Sequence, residues 1–417
     1  MIQTAAVADR PLPSRLAPPS LAKRLGSIQP SATIAISDRA AAMKAKGIDV
    51  LSFGLGEPDF DTPEPIREAA KKALDKGATR YTRVRGIPAL REAIRADSLR
   101  RRGVAHDAEE IVVSTGAKQA LFDLALAMVD PGDEVIIPAP YWVSYPEQVQ
   151  LFGGVPRIVE THEADGFRLR PEALEAAIGP RTKALILCTP SNPTGSAYDE
   201  ASLTALADVL RRHGIWIIVD EIYAQLVYDG FVQRSLLTIA PDLKDRLVIV
   251  DGVSKTYAMT GWRIGWALAP RAVADACEML QSQATSNPAT VAQHAAVAAL
   301  EGSRASLDAM VAEFAARRAL MVEGLAAIDG IGCRMPEGAF YAFPSVKGLL
   351  GRTTPDGVRL ENDVDVTSYL LDAGRCAVVP GSAFGAPGYV RLSYAASQAQ
   401  IREGLARIAS AVKNLSK

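Results

Sequence analysis

An α/β fold, with a large, mainly parallel seven-stranded sheet and a smaller α+β domain, is predicted by three observations. Seven short runs are nearly continuous in apolar and β-branched residues: 111–114, 134–138, 156–160, 184–188, 215–219, 247–250 and 264–268. Such runs are expected of strands covered on both faces. Amphipathic segments such as 117–129 and 202–212 separate most of them, the alternation that gives a parallel sheet with helices on both sides. The 417 residues also exceed what a single core organises, so two domains are expected.

Taken in order, residues 1–20 hold four prolines among scattered arginines and read as a flexible N-terminal arm. The N-terminal part of the small domain is placed at 21–61. It holds a short helical pattern, a helix near 36–46, a short strand at 50–54 and the turn Gly56-Glu57-Pro58-Asp59-Phe60. The large domain is placed at 62–300. Its last two strands are joined by a loop with little helix, which leaves one of them free to run antiparallel. The alanine-rich stretch 292–325 reads as one or two long helices bridging the domains. The C-terminal part of the small domain, 301–417, has short strands at 338–343, 377–380 and 389–394 and a closing helix, and is expected to pack with the strand at Leu51.

Bulk properties narrow the function. A net charge of −1 gives no reason to invoke nucleic acid or a membrane surface. No apolar run reaches the length of a membrane span and no leader pattern opens the chain, so a cytoplasmic protein is expected. Cys188, Cys277, Cys333 and Cys376 stand singly, and the four histidines form no H-E-x-x-H, so no metal is expected in the chemistry.

The chemistry-bearing residues gather where strands end, as catalytic groups in parallel sheets do. Lys255 follows the run 247–250 in Ser254-Lys255-Thr256-Tyr257-Ala258-Met259-Thr260-Gly261-Trp262-Arg263-Ile264-Gly265. Walled by Trp262, Ile264 and Trp266, it is expected to be desolvated, which lowers an amine's pKa and suits a Schiff-base nucleophile. Ser254 and Arg263 offer a hydroxyl and a guanidinium to a phosphate. Ser114-Thr115-Gly116-Ala117-Lys118 opens a helix whose free N–H groups could cradle the same phosphate. An ordinary glycine turn fits that stretch as well. Asn192, held extended before Pro193, has an amide free to reach a ring oxygen, or is simply part of a polar turn. Asp220 ends an apolar run and should be buried, where a carboxylate needs a cation such as a pyridinium nitrogen. It could instead cap a following helix. Tyr223 lies three residues on. Lys118, a cation in a first helical turn, opposes the dipole and wants a partner, unless it is a solvated surface lysine. Arg391 is a bare arginine within a predicted strand.

In these motifs the chain resembles the fold-type I pyridoxal-phosphate enzymes, specifically the class I aminotransferases of the bacterial aspartate/prephenate branch. The resemblance runs from about residue 21 to the C-terminus through GEPDF, RYTRVRGIPALREAI, STGAKQALF, PYWVSYPEQV, SNPTG, DEIY, SKTYAMTGWRIG, SQATSNPATVAQ, GAFY and VRLSYA. It implies that Lys255 binds pyridoxal 5'-phosphate covalently and later moves a proton. It implies that Asp220 pairs with the pyridinium nitrogen, that Asn192 and Tyr223 hold the ring's phenolic oxygen, and that Trp142 stacks on the ring. Gly116, Ala117, Ser254 and Arg263 would hold the phosphate, with Tyr81 from a second copy of the chain. Arg391 would bind the substrate α-carboxylate, helped by Asn192 and the Gly56 backbone. Lys118 would meet a distal carboxylate, and Ser31 and Thr33 would lie over the substrate. The implied protein is a homodimer with shared active sites. It would move an amino group by ping-pong between L-aspartate or L-glutamate and 2-oxo acids such as oxaloacetate and 2-oxoglutarate. Prephenate, aromatic or broader transamination stays open. So, at longer odds, do another reaction on the same cofactor and a non-catalytic sensor.

Overall fold

The computed structural model describes residues 20–30 and 32–416, with the side chains of residues 32 and 33 left out. The arm expected over residues 1–20 (all but Ser20), together with Ser31 and the Thr33 side chain, lies outside the described residues. The strands are β1 (Leu51–Ser52), β2 (Ile111–Ser114), β3 (Glu134–Ala139), β4 (Val155–Glu160), β5 (Thr182–Cys188), β6 (Trp216–Asp220), β7 (Leu247–Gly252), β8 (Gly265–Leu268), β9 (Tyr341–Ala342), β10 (Cys376–Ala377), β11 (Val379–Pro380) and β12 (Val390–Ser393).

Seven strands form one sheet in the order β2-β8-β7-β6-β5-β3-β4. All its pairings are parallel except those of β8, which runs antiparallel to both β2 and β7. The expectation for the last two strands is met by β8. Alternate residues of the central strands serve different cores. Ile136, Leu185, Ile217 and Ile249 enter one apolar cluster, and Val135, Ala184, Ile218 and Val248 enter another. A period of two thus loads both faces of the sheet, and each fully buried side chain of this size contributes about 1.5–3 kcal/mol. One strand departs from the expectation of double coverage. β4 pairs only with β3 at the sheet edge, and Val155 and Ile158 are exposed there.

The segment 292–325 is two helices, Thr290–Glu301 and Ala305–Ala326. A Cβ on Gly302, between them, would strike the carbonyl oxygen of Ala298 at 2.6 Å. A third cluster, around Phe53, Phe314, Phe340, Val378 and Leu392, fills the space under the remaining short strands. There β1 pairs with β10, Leu51 opposite Cys376, so the N-terminal strand joins the C-terminal region as expected. β11, β12 and β9 form a second small sheet that carries Arg391.

Candidate active site

The carboxyl ends of β5, β6 and β7 surround a cavity of about 270 Å³, near the lower end of the ~300–1,000 Å³ usual for small-molecule sites. At one end the helix Ala117–Met128 starts from Gly116, whose φ is 83°, with no side chain capping it. A Cβ on Gly116 would collide with the Arg263 guanidinium, and one on Gly265 with Ala117 N. Only glycine at both positions lets the guanidinium and the helix start close on the same space. Arg263 is held by the carbonyls of Thr260 (2.9 Å) and Thr115 (3.3 Å), and buried Ser254 lines the same wall. Helix N–H groups, a guanidinium and a hydroxyl make this end an anion site.

At the opposite end lies Asp220, buried and hydrogen-bonded by Tyr145 Oη at 2.8 Å and Ile222 N at 3.1 Å. Burial pushes its carboxyl up to about 6, against the pull of these two donors. The structure leaves it short of a full cation, which a protonated ring nitrogen would supply. The chain turns after it, and the next α-helix starts only at Leu236, so helix capping is not its role. An anion cradle at one end and a cation-seeking carboxylate at the other match a pyridine ring that carries a phosphate.

Between the ends, Lys255 Nζ donates to Gly56 O at 2.6 Å and lies 5.9 Å from the Phe340 ring centre. Burial lowers its pKa to about 8; Arg263 and Arg391 add to the effect, while Glu57 and Asp220 oppose it. The desolvation was anticipated, but its source was not. Ile264 and Trp266 belong to the core behind the sheet, and Trp262 packs on that core and donates its indole N–H to Thr62 Oγ1 at 2.9 Å. The indole of Trp142 reaches the cavity with Lys118 Nζ 4.9 Å above it. Lys118 keeps much of its surface exposed, yet desolvation and Arg263 lower its pKa.

Arg391 is almost fully buried between the rings of Tyr341 and Phe384, at 4.6 and 5.0 Å. Its guanidinium donates to Asn192 Oδ1 at 2.8 Å and to Gly54 O at 2.6 Å. The Gly54 carbonyl thus fixes the guanidinium, while Gly56 lines the cavity and its carbonyl accepts from Lys255. Asn192 gives its oxygen to Arg391, which leaves its amide nitrogen as the donor toward a ring. Tyr223 shares a hydrogen bond of 2.9 Å with Tyr341 Oη. Tyr81 is not in this cavity; it is 89% exposed, beside a separate depression that Asn287 and Thr290 line. Among the cavity residues that were not anticipated are Tyr145, Tyr341 and Cys188. For Tyr145 a signal existed, because it stands three residues after Trp142, on one face of the helix start.

Comparison with known proteins agrees with this geometry. Residues 48–408 match the family "Aminotransferase class I and II". The chain belongs to the class I and II aminotransferases. An aspartate aminotransferase of Rhizobium meliloti is 50% identical over 396 residues, covering 95% of this chain and 97% of the relative. An aspartate/prephenate aminotransferase of Cereibacter sphaeroides is 46% identical over 397 residues, covering 95% and 99%. The crystal structure of the aspartate aminotransferase from Rhizobium meliloti superposes with a TM-score of 0.93 at 49% identity, covering 95% of this chain and all of that one. As a class I aminotransferase the protein is an enzyme that depends on pyridoxal phosphate, and the two-ended cavity fits that cofactor.

Proposed function

We propose that this aminotransferase works on dicarboxylic amino acids, L-aspartate or L-glutamate, with oxaloacetate or 2-oxoglutarate as acceptors, by ping-pong. The observation that carries the reading is a pair of cations in one cavity. Arg391 is fixed by Asn192 and Gly54, and Lys118 stands over Trp142. Two carboxylates on one substrate satisfy both. The names of the relatives point the same way.

When bound, the cofactor supplies a carbonyl carbon that takes up the amino group and a ring that withdraws the electron pair left at the substrate Cα. The chain's residues do the rest. Lys255 would hold the cofactor through Nζ and would give way to the substrate amine. With its pKa lowered to about 8 by burial, its amine would be able to take the proton from Cα. Asp220, steered by Tyr145, holds a proton on the ring nitrogen, while Asn192 and Tyr223 direct donors at the ring oxygen. Gly116, Ala117, Ser254 and Arg263 bind the phosphate, and Trp142 covers the ring face. Arg391 clamps the α-carboxylate, which orients the Cα–H bond for Lys255. Tyr81, exposed on its own chain, serves the phosphate of a second copy, so the working unit is a homodimer in the cytoplasm. The small domain comprises 21–61 and 301–417, and the large domain 62–300.

Mixing the cofactor-loaded enzyme with L-aspartate should shift its visible band to shorter wavelength and release one equivalent of oxaloacetate. A band moved by monocarboxylic amino acids and not by aspartate or glutamate would refute the assignment. Prephenate also bears two carboxylates, and its use as an acceptor by the aminated enzyme would widen the reading.

A further inference from the structure

Behind the cavity lies a group of charges that the reaction just described does not use. Helix Pro88–Arg102 is stopped by Gly103, with φ 70°, whose N–H returns to Leu99 O. Its last residue, Arg102, is buried at 2% exposure. Arg102 Nε and Nη2 meet Glu221 Oε2 at 2.9 and 2.7 Å, and Nη2 also meets Asp251 Oδ2 at 2.7 Å. Ser235 Oγ donates to Glu221 Oε1 at 2.5 Å, Gly252 N to Asp251 Oδ1 at 2.8 Å, and Arg101 Nη2 to Asp251 Oδ2 at 2.7 Å. Glu221 and Asp251 are buried as well.

The position of these acids is informative. Glu221 directly follows Asp220, and Asp251 precedes Ser254 and Lys255 by three and four residues. β6 and β7 are neighbours in the sheet, with Asp220 opposite Val250. One guanidinium therefore ties together the two chain segments that carry Asp220 and Lys255. A buried ion pair is weak evidence for stability, since apolar side chains of similar volume hold a core as well. What apolar side chains would not do is balance Asp251.

We propose that Arg102 is a positioning residue for transamination: by bridging Glu221 and Asp251 it sets both the spacing and the charge balance between Asp220 and Lys255. The proposal rests on the roles given above to those two residues. Asp220 is faced by Tyr145 from helix Ser144–Leu151, by Cys188 from β5, by Asp251 from β7 and by Lys255. Of these, Asp251 pushes its carboxyl upward. Arg102 is faced by Glu221 and Asp251, with His106 beyond it, held down at about 4 by burial, Lys244 and Arg102. Without the guanidinium, and among the described residues, Glu221 keeps only Ser235, and Asp251 keeps only Arg101 and Gly252 N, so the upward push of Asp251 on Asp220 is less compensated. Protons at the cofactor are then held more tightly.

The test uses full-length Arg102→Met, Arg102→Lys and the triple variant Arg102→Met/Glu221→Gln/Asp251→Asn, beside the wild type. Three quantities are read: pyridoxal-phosphate affinity by titration of the apoenzyme, the pH midpoint of the loaded enzyme's visible band, and the melting temperature. Arg102→Met is expected to raise the midpoint by about half to one unit and to weaken cofactor binding about tenfold. The triple variant, which removes the orphaned acids, should bring the midpoint back toward the wild-type value. A folded Arg102→Met enzyme with wild-type midpoint and affinity, altered only in melting temperature, would overturn the proposal. If Arg102→Met does not fold, Arg102→Lys decides. A midpoint displaced upward by a smaller amount supports the bridge, and an unmoved one rejects it. A wild-type protein that binds no cofactor would instead strike the roles of Asp220 and Lys255.

Discussion

Replacing Arg391 tests the substrate clamp. Its guanidinium is preorganised by Asn192 and Gly54 and by two flanking rings, so an incoming carboxylate orders little on arrival. A carboxylate seated there gains two charge-assisted hydrogen bonds of ~1.5–3 kcal/mol each. Arg391→Ala removes them and leaves a carboxylate enclosed without its partner, a loss of about 3–5 kcal/mol. That corresponds to roughly 10²- to 10⁴-fold in kcat/KM for L-aspartate. Arg391→Lys keeps the charge without the fork and should lose about 10- to 100-fold. The assay is the single-turnover half-reaction with L-aspartate, followed at the visible band, beside a titration of cofactor affinity. Affinity for pyridoxal phosphate should stay within about threefold of wild type, because Asp220, Arg263 and the helix start remain. A fall below tenfold in kcat/KM with intact cofactor binding would show that the α-carboxylate is held elsewhere.

Other substitutions probe the remaining contacts. Lys118→Met should depress kcat/KM for aspartate by roughly 10- to 100-fold, the worth of one charge-assisted contact, and leave L-alanine little changed in steady-state assays. Gly116→Ala, at φ 83° and against the Arg263 guanidinium, should weaken cofactor binding at least about tenfold, measured on the apoenzyme. Tyr145→Phe deletes a donor to Asp220, and an upward move of about one unit in the pH dependence of cofactor binding is expected. Asp123 is a stability case. It is buried, its Oδ2 has no hydrogen-bond partner among the described residues, and burial raises its carboxyl to about 7 from an ordinary 3.8. The fold prefers the neutral form, so this contribution is complete below about pH 4 and is lost as pH rises through about 7. Asp123→Asn should therefore stabilise the fold at pH 8 by about 1–2 kcal/mol after screening, read as a higher melting temperature, and leave it unchanged at pH 4.

Much of the site was legible because its residues break local patterns. Asp220 ends an apolar run and Arg391 stands alone in a strand; among the described residues the fold gives Arg391 the acceptors of Asn192 and Gly54 and leaves Asp220 with neutral donors only. Local sequence failed where the answer depended on distant packing. Trp262 and Trp266 lie close to Lys255 in sequence, yet the β7–β8 turn sends their rings into the core, and Phe340 from 85 residues on takes their place. β4 has a buried-strand composition, but edge position is a property of sheet order. Arg100, Arg101 and Arg102 suit a helix C-terminus by charge alone, and nothing in the run reveals that the third turns inward. The small sheets, with strands of two to four residues, are too short to carry a periodicity.

The reversed strand β8 has one more consequence, for which parts of the chain can change length. It is zipped to β2 on one side and β7 on the other. At its start Gly252 and Gly265 lie so close that a Cβ on Gly252 would meet Gly265 Cα at 3.0 Å. Neither margin can slide to take up slack, so the segment from 253 to 264 is a span of set length with Lys255 near one end and Arg263 near the other. An inserted or deleted residue there would pull the cofactor's covalent anchor and its phosphate clamp out of step. The same change in the exposed turn 355–359 would be absorbed at the surface. Insertions and deletions between 253 and 264 should thus be purged from functional variants, even where individual side chains in the segment can be exchanged.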